Sequence, residues 1–543
     1  MLMKSIRKSI SALLALAMIA GCLSVGAAQP VSAASKNAVY QKYNKKINTR
    51  IRKIQNSKTD IQTTDTVFYV SSSTGNDAND GLSPEHAWKT CKRLNEDTNG
   101  TIYNTIQENG SATILFKRGD TWKCDGISLW YPNVTYSTYG TGAKPVFDFS
   151  VGDAADPSMW TLKKGTKNIW IYKKQVPFLG SLALNERSSA DNYDAYYDYR
   201  TKKWYENCPN GHYSDDGYLC NYKEKNYLNI NKLPENSFFV DVRPSKKYLD
   251  KASGDLYVYD CNDTGTLYFS CKKGNPGKVY KSIALCSGWG LHCGNSCTYD
   301  NLVVKHTGNT AISNFSSDDS EGCTLQNCEV YFCGDTYISF GNTDHRGMVG
   351  GECSGFSGSG SRYYNNYFYG CREGGFTVEL GWTGSLKNET KTLGDVIASG
   401  NVFDKCDGGI GVICFTESAK GVNMSDIRIH DNYFREIGSA HDKDGSDPHS
   451  LGILHVWDHS GEVDLSGFTF TDNLILFTED RVINIEETAH KGMLRAKGNT
   501  AILKKNSGMH LLRVTNRTYK ETYIDSAKKA KPYIGSFGKI KWI

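Results

Sequence analysis

Proline, long apolar runs and excess charge are all scarce in this 543-residue sequence. It has 12 prolines against 53 glycines and 33 tyrosines. Many glycines and aromatics with little proline are typical of short strands joined by tight turns. Beyond the N-terminus it has no apolar run long enough to cross a membrane. The formal net charge is only +5, which does not indicate a nucleic-acid partner.

The N-terminus has the features of an export signal. Basic residues precede an apolar run over residues 10–20, which is too short for a spanning helix. Residues 31–33 fit the small-x-small pattern of signal cleavage, whereas residues 19–22 resemble a lipobox that would leave Cys22 lipidated. We expect residues 1–34 to be a signal peptide and the protein to be secreted. The alternative is a lipid anchor at the cell surface, and a membrane is a partner only in that case.

From residue 300 onward the chain repeats a loose unit: an Asn, an alternating apolar stretch, a small polar turn and a second short strand. The units begin at Asn301, Asn327, Asn366, Asn401, Asn432, Asn473 and Asn499. Apolar residues recur every second position, which indicates strands rather than helices. The intervals vary from 26 to 41 residues, and variable inserts on a steady unit are typical of a β-solenoid. The sequence therefore predicts an all-β fold, a right-handed parallel β-helix with loop inserts and a short N-terminal helical or basic segment.

The same pattern sets the expected boundaries. We expect the β-helix over residues 65–515, with inserts at about 185–255, 341–362 and 439–450. Residues 35–64 are basic and have three isoleucines at helical spacing, which predicts a tether or short helix. Residues 516–543 are expected to form a C-terminal cap or tail.

Two columns of identical residues are predicted along the helix axis. Stacked strands lie about 4.8 Å apart, so amides at one turn can bond each other and the bent backbone. We expect Asn327, Asn366, Asn401 and Asn432 to occupy equivalent turns. Counting from the Asn, Cys333, Cys371 and Cys406 fall in one inward column, where a small apolar side chain suits a core.

Several segments resemble those of secreted carbohydrate-active proteins. Residues 67–90, VFYVSSSTGNDANDGLSPEHAWKT, are similar to the opening strand and turn of such β-helix proteins. Residues 114–122 and 136–145 resemble their first coils, and residues 254–259 a strand before the main repeat of glycoside-hydrolase members. The resemblance covers roughly residues 67–514 and identifies the pectate-lyase-like superfamily. It implies a parallel β-helix that acts on polysaccharide.

Acidic residues follow the cysteine column and are the candidate catalytic groups. Asp335, Glu373 and Asp407 each lie at a turn beside a Cys. If they stack, neighbours are about 5 Å and alternate coils about 10 Å apart, which brackets the carboxyl separations of retaining and inverting glycosidases. The alternative is turn chemistry, in which acids before Gly-Gly bond the local backbone.

A second set of candidates lies on the strands that follow and would bind substrate. Alternation along 376–380 and 454–457 points Glu379, His455 and Trp457 outward, with Trp382 just beyond the first strand. The same alternation along 483–486 exposes Asn484 and Glu486. Aromatic faces stack on sugar rings and carboxylates bond hydroxyls, so this strip is a candidate sugar-binding floor. A solvated face is the alternative. His345 and Arg346 open an insert beside the acids and are further candidates for substrate binding.

Three functional classes fit these features. A glycoside hydrolase needs two acids and no metal. A polysaccharide lyase would neutralise a uronate with calcium and use Arg346, Arg372 or Lys405 as base, and a non-catalytic glycan-binding surface protein would use the aromatic groove alone. Because the columns are acidic, we expect a secreted glycosidase that acts as a monomer on a polysaccharide or oligosaccharide, with no nucleic-acid partner.

No metal site is predicted and no cofactor is required. Residues 442–447 resemble part of a calcium loop but lack its terminal Glu, so calcium is kept as an alternative. The spacing of Cys293 and Cys297, close to His292 and His306, departs from the usual zinc pairs.

Overall fold

The computed structural model describes most of the chain from residue 38 onward. The described residues are 38–59, 61–97, 100–123, 126–129, 131–193, 195–198, 203–206, 212–214, 217–219, 227–243, 264–314, 321–334, 338–341, 346–349, 354–357, 359–372, 374–380, 394–414, 424–438, 452–458, 466–478, 481–486, 492–505, 509–515 and 520–543. The chain divides into two compact units, residues 1–46 and 47–543, and the boundary falls within helix α1 (Ala38–Gln55). The features below belong to the second unit.

Three ten-stranded sheets, A, B and C, form the body of this unit. Sheet A contains β1 (Val67–Val70), β2 (Ala112–Lys117), β5 (Val134–Tyr139), β20 (Thr298–Asp300), β23 (Thr324–Gln326), β28 (Arg362–Tyr364), β31 (Val396–Ser399), β34 (Ile427–His430), β37 (Phe468–Thr471) and β40 (Leu494–Lys497). Sheet B contains β3 (Thr121–Lys123), β6 (Val146–Asp148), β21 (Val303–Lys305), β24 (Glu329–Tyr331), β29 (Tyr367–Tyr369), β32 (Val402–Asp404), β35 (Tyr433–Arg435), β38 (Leu474–Leu476), β41 (Asn499–Leu503) and β44 (Gly538–Trp542). Sheet C contains β4 (Ile127–Leu129), β19 (Leu291–Cys293), β22 (Ile312–Asn314), β27 (Ser354–Ser357), β30 (Phe376–Leu380), β33 (Ile410–Cys414), β36 (Leu454–Asp458), β39 (Arg481–Glu486), β42 (His510–Thr515) and β43 (Glu521–Ile524).

Successive coils visit sheets A, B and C in turn, so neighbours within each sheet are parallel, as in the pairs β31–β34 and β32–β35. The pair β42–β43 at the C-terminal end of sheet C is antiparallel. The predicted fold class, a parallel β-helix, is confirmed.

The core is built from inward columns of identical or similar side chains. Phe368, Phe403 and Phe434 occupy one register position on three neighbouring strands of sheet B, and all are fully buried. Their rings stack with centroids 5.0 and 4.8 Å apart, close to the spacing of the strands themselves. The period-two alternation of the sequence therefore becomes a continuous apolar column along the axis.

An asparagine ladder runs along the turn between sheets A and B. Each amide nitrogen donates to the amide oxygen of the next coil, at 2.9–3.1 Å, through Asn366, Asn401, Asn432, Asn473 and Asn499. The same oxygens also accept backbone N–H groups, such as Asn401 N to Asn432 Oδ1 at 3.0 Å. The ladder thus satisfies groups that the bent backbone would leave unpaired.

The predicted position of Asn327 was wrong by one residue. Asn327 has φ +55° and aligns with Asn365, whose φ is +56°, immediately before the ladder position. Cys328 takes the ladder position in that coil, and its N–H donates to Asn366 Oδ1 at 2.9 Å. Because Asn is favoured at left-handed positions as well as in amide ladders, its presence alone does not fix the register.

Removing one amide from the ladder should destabilise the protein. In Asn432→Ala, the backbone N–H of Asn401 and the carbonyl of Ala398 lose buried partners, and we expect the free energy of unfolding to fall by about 2–3 kcal/mol. Asp431→Gly is the control, since Asp431 is exposed with φ +56° and Gly400 stands at the equivalent position. A urea titration that gave equal losses for the two variants would contradict a stabilising role for the ladder.

The cysteine column is confirmed. Cys333, Cys371 and Cys406 are fully buried thiols in consecutive coils, and backbone bonds from Arg372 N to Cys333 O and from Asp407 N to Cys371 O set them side by side. Burial raises the pKa of the Cys406 thiol well above its usual value. These thiols are therefore core residues.

A fourth sheet interrupts the β-helix between residues 150 and 286; all but one of its strand pairs are antiparallel, and we call it the antiparallel insert. Its eight strands are β7 (Ser150–Asp153), β8 (Trp160–Leu162), β9 (Ile169–Val176), β10 (Ser181–Leu184), β11 (Ser188–Asn192), β16 (Ser237–Asp241), β17 (Gly265–Ser270) and β18 (Ile283–Cys286). The sheet has its own apolar core, which includes Leu182, Phe238 and Leu267. It begins earlier and ends later than the insert expected at about 185–255. The sequence pattern missed this because alternating strands look alike in parallel and antiparallel sheets.

Smaller elements complete the described part of the chain. They are β12 (Ala195–Asp198), β13 (Lys203–Glu206), β25 (Ile338–Gly341) and β26 (Arg346–Val349) in one sheet, the hairpin β14 (His212–Ser214) and β15 (Gly217–Leu219), and helices α2 (Lys92–Glu96), α3 (Thr101–Asn109), α4 (Pro276–Val279) and α5 (Ala527–Ile534). None of the helices in the described ranges is long and apolar enough to cross a membrane.

A charge cluster around the buried His306 joins the antiparallel insert to the β-helix. His306, at the end of β21, has Nδ1 2.8 Å from Asp148 Oδ1 and Nε2 3.2 Å from Glu186 Oε1 in the antiparallel insert. Burial opposes a charged imidazole, but these two carboxylates outweigh it and raise the pKa of His306. The pKa of Glu186 falls to about 2, since contacts with His306 and Lys305 outweigh its burial. The cluster therefore holds the insert in place.

Helix α1 supplies side chains to the turns beside sheet B. Ile47, Ile51 and Ile54 are buried, as their helical spacing predicts. Arg50 Nε donates to Gly400 O at 2.8 Å, and the buried Lys144 Nζ donates to Ile54 O at 2.7 Å. Part of the basic N-terminal segment is therefore a packed element of the fold.

Candidate functional site

The outer side of sheet C carries two rows of positions that the strand register places away from the core. The first row contains Thr377, Gly411, His455, Asn484 and Arg513. The second row contains Glu379, Ile413, Trp457 and Glu486. We call these nine positions the sheet C face. The residues between them, such as Leu454 and Val456, belong to the apolar core, as the alternation predicted.

Polar side chains on the sheet C face are buried although they point outward. His455 is 3% exposed, Asn484 is 1% exposed and Thr377 is fully buried. The alternative that the sequence left open, a face exposed to solvent, does not describe these residues. Burial of polar groups without a full set of partners carries a free-energy cost, so such clusters are found preferentially at functional sites.

Glu486 is the carboxylate at the centre of this cluster. Its Oε1 accepts hydrogen bonds from Asn484 Nδ2 at 2.9 Å and from Arg513 Nη1, and its Oε2 lies 3.6 Å from His455 Nε2. Burial alone would raise the pKa of Glu486, but the contacts with His455, Arg513 and Asn484 outweigh it and hold that pKa well below its usual range. Glu486 is therefore ionised at neutral pH.

Arg513 holds two carboxylates at once. It donates through Nη1 to Glu486, and through Nε, at 2.9 Å, to Glu521 on the last strand of sheet C. Its Nη1 also donates to Asn484 Oδ1 at 3.1 Å. A planar guanidinium shared in this way fixes the orientation of the Glu486 carboxylate.

On this face, His455 is the polar side chain with the most unused hydrogen-bonding capacity. Neither of its ring nitrogens has a hydrogen-bond partner among the described residues. Its ring stacks on the half-buried indole of Trp457, with centroids 6.1 Å apart and an interplanar angle of 18°. An ionised carboxylate, an imidazole and an indole thus meet within one patch, a combination suited to binding a hydroxylated ring.

Asp407, predicted as a catalytic acid, lies elsewhere. It is 2% exposed, at the turn between sheets B and C, and its Oδ2 is 3.8 Å from Nε of the fully buried Arg372. Arg372 Nη1 in turn donates to Ser189 Oγ in the antiparallel insert at 3.3 Å. The pair therefore sits in a buried junction between the helix and the insert.

The expected alignment of Asp407 with Glu373 differs from the observed register. The bond from Asp407 N to Cys371 O places Asp407 beside Arg372, whereas Phe376 pairs with Ile410 on the following strands. One coil therefore has an extra residue at this turn, in agreement with the sequence, where Asp407 is one residue nearer its Cys than Glu373 is.

The remaining predicted residues are only partly described. Asp335, His345, Glu373 and Trp382 lie outside the described residues. The backbones of Arg346 and Glu379 are described; Glu379 lies on the sheet C face, in register with Ile413 and, one strand further on, Trp457. Arg346 lies on β26, in the four-stranded sheet with β12, β13 and β25. The structure thus brings together His455, Trp457 and the backbone position of Glu379, and it does not join Arg346 to the same sheet.

Sequence reasoning missed Arg513 and Glu521. The signal was present in residues 510–515, His-Leu-Leu-Arg-Val-Thr, where the same alternation continues for one more coil. Extending the outward row from His455 and Asn484 by one strand would have found Arg513. Glu521 comes from an antiparallel strand, which the repeat does not contain.

Within the described ranges, no group of three or more His, Cys, Asp or Glu is arranged to hold a metal ion. His292 Nδ1 instead lies 2.7 Å from Ser313 Oγ, and His306 contacts Asp148. The acidic segment 442–447, considered as a calcium loop, lies outside the described residues.

Comparison with known proteins finds similarity at the level of structure. No protein-family model matches the sequence, and no curated protein matches it. Similar solved structures include the GH136 lacto-N-biosidase from Eubacterium ramulus as its selenomethionine derivative, with 11% identity over 88% of this chain and 68% of that chain and a TM-score of 0.34. The native form of that enzyme matches with 11% identity over 93% and 70% of the two chains and a TM-score of 0.28. A third structure, described as a glycoside hydrolase, has 10% identity over 83% and 92% and a TM-score of 0.29. Identities and TM-scores of this size assign neither a reaction nor a substrate to this chain.

Proposed function

We propose that the protein is a glycoside hydrolase that cleaves a polysaccharide or oligosaccharide on the sheet C face. The observation that carries this proposal is the half-buried, ionised Glu486 beside His455 and Trp457. A carboxylate kept ionised by fixed donors can stabilise the positive charge that develops on a sugar ring during cleavage. An adjacent indole supplies the apolar surface on which the ring can rest.

The second carboxyl group that glycoside hydrolysis requires would come from the N-terminal side of the same face. Glu379 lies in the row of Glu486, three strands away, so the two backbones are about 14 Å apart. This backbone span leaves room for the separation of about 6.5–9.5 Å between the two carboxyl groups of inverting enzymes. Glu379 is therefore our candidate proton donor, with Glu373 and Asp335 as the alternatives from the acid column.

A product assay tests this function directly. The purified protein is incubated with a panel of plant and animal glycans, and new reducing ends are measured in parallel with absorbance at 235 nm. Hydrolysis gives reducing ends without absorbance, whereas a lyase produces unsaturated ends that absorb. We expect reducing ends from at least one glycan. An increase in absorbance at 235 nm that accompanies them would show that the protein is a lyase and not a hydrolase. Binding of glycans without any cleavage would instead leave a glycan-binding protein.

Loss of the Trp457 indole should weaken substrate binding more than it slows the reaction. Removing one sugar–aromatic contact costs on the order of 1–2 kcal/mol, about ten-fold or more in affinity. We expect Trp457→Ala to raise KM about ten-fold and to change kcat about two-fold or less, as for an interaction of equal strength in the ground and transition states. Steady-state kinetics with an oligosaccharide checks this.

A matched control exists on the same sheet. Trp289 packs on His292 with ring centroids 5.0 Å apart, beside β19, five strands and about 24 Å from β36. Trp289→Ala therefore removes a similar indole–imidazole contact away from the proposed site and should leave KM for a short oligosaccharide unchanged. Equal effects of the two substitutions would show that Trp457 is not part of the substrate floor.

A further inference from the structure

The C-terminal end of the β-helix is closed by one helix and three edge strands. Strand β40 is the last strand of sheet A, β44 the last of sheet B and β43 the last of sheet C. Helix α5 contacts β40, β42 and β43, and its buried Ala530 and Ile534 face the apolar core. We call the described residues 492–505, 509–515 and 520–543 the C-terminal cap.

The C-terminal cap is strongly basic on its exposed surface. The exposed cationic side chains are Arg495, Lys497, Lys504, Lys505, Lys520, Lys528, Lys529, Lys531, Lys539 and Lys541. Within the same described ranges the acidic residues are Glu521, which is held by Arg513, and Asp525, which contacts His510 at 3.0 Å. These ten cations exceed the formal net charge of the whole chain, +5. The C-terminal cap therefore carries a local excess of positive charge.

Protection of open strand edges explains only part of this charge. Lysines on edge strands keep sheets from pairing with other chains, and Lys539 and Lys541 on β44 fit that role. However, Lys528, Lys529 and Lys531 lie on helix α5, which presents no strand edge. Their exposure on a helix that already covers the core calls for another explanation.

We propose that the C-terminal cap binds an anionic polysaccharide through the carboxylate or sulfate groups of the polymer. Nine of the ten exposed cations are Lys, a flexible point charge, rather than Arg, whose planar fork recognises single anionic groups in fixed geometry. A dense set of flexible point charges suits a long polyanion that is held by its charge density. None of the ten exposed cations is among the nine positions of the sheet C face, so the proposal does not depend on whether the protein cleaves the polymer there.

Retention on immobilised polygalacturonate tests the proposal. The full-length protein and a Lys528→Gln/Lys529→Gln/Lys531→Gln variant are eluted from this column with a salt gradient, and their affinities are measured in solution at low salt. We expect the triple variant to bind at least ten-fold more weakly and to depend less steeply on salt, since fewer counterions are displaced. Any retention on a neutral glucan column should be equal for the two proteins, because an uncharged polymer offers the lysines no opposite charge.

A second triple variant controls for total charge. Lys164, Lys167 and Lys174 are exposed on or beside strands β8 and β9 of the antiparallel insert, and their change to Gln removes the same charge elsewhere. This variant should bind polygalacturonate within about two-fold of the parent. Equal losses in both variants would overturn the proposal, because the effect would then follow net charge and not the cap.

Two other outcomes would also overturn it. If the cap variant keeps its affinity but forms oligomers in size-exclusion chromatography, the lysines serve only to protect the end of the stack. If the parent binds vesicles containing anionic phospholipid, or duplex DNA, and not polygalacturonate, the cap recognises a different polyanion. Thermal unfolding of all three proteins should coincide, since every substituted side chain is exposed.

Discussion

Replacing Glu486 by Gln should reduce turnover about 1000-fold, within the range typical of the loss of a group that acts on the reacting atoms. The substitution keeps the size of the side chain and removes only its charge. It also leaves Arg513 with a second carboxylate partner, Glu521, so no buried cation is left alone. We therefore expect a folded protein that binds oligosaccharide and turns it over very slowly, as measured by reducing-end release.

Glu521→Gln is the matched control for this experiment. It makes the same chemical change in the other carboxylate held by Arg513, but Glu521 is exposed and lies on the last strand of sheet C. Its turnover should stay within about two-fold of the parent. If both variants lose activity equally, the loss arises from disturbance of Arg513 and not from the Glu486 carboxylate itself.

Two further measurements test which role the Glu486 carboxylate has in the reaction. Added azide should restore cleavage to Glu486→Ala with formation of a glycosyl azide if the carboxylate is a nucleophile, and not if it acts as a base for water. The pH profile of kcat/KM is the second readout. Because the pKa of Glu486 is held well below its usual range, the acid limb of the profile should lie below about pH 4. A limb near pH 6 would assign the titrating group to another residue.

How far the fold could be predicted is clearest in the asparagine ladder. Asn366, Asn401 and Asn432 were placed correctly because their amides form hydrogen bonds from coil to coil. This requirement makes asparagine recur once in each coil of the sequence. Positions 301 and 327 are also asparagine, but for a different reason, since both residues have a positive φ. Two physical demands select one residue type, so the sequence could not separate them.

For the candidate site, the sequence predicted the direction of side chains but not their burial. Alternation within a strand gave the outward direction of His455 and Trp457, because a strand's side-chain period is fixed by its backbone. The burial of His455 was not predicted, since it depends on tertiary packing that the alternation along one strand does not encode. The junction of Asp407, Arg372 and Ser189 has the same origin: Arg372 contacts Ser189, which lies 183 positions away in the sequence, and no local pattern encodes this contact.

That junction leads to the second large effect, on stability. Asp407→Asn removes the carboxylate that faces the fully buried Arg372 guanidinium. Loss of one partner of a buried ion pair typically costs about 3–5 kcal/mol, because the remaining charge stays out of water. We therefore expect Asp407→Asn to lower the free energy of unfolding by about this amount in a urea titration, while the folded fraction keeps a kcat close to that of the parent.

A compensating change makes this prediction decisive. Replacing both members of a buried pair by uncharged side chains of similar size is often neutral or stabilising, so Arg372→Met added to Asp407→Asn should recover most of the lost stability. A catalytic Asp407 would behave in the opposite way. Turnover would vanish in Asp407→Asn with little change in stability, and Arg372→Met would restore nothing. Urea titrations and kcat of the single and double variants therefore decide whether Asp407 is a structural partner of Arg372 or one of the two acids of the reaction.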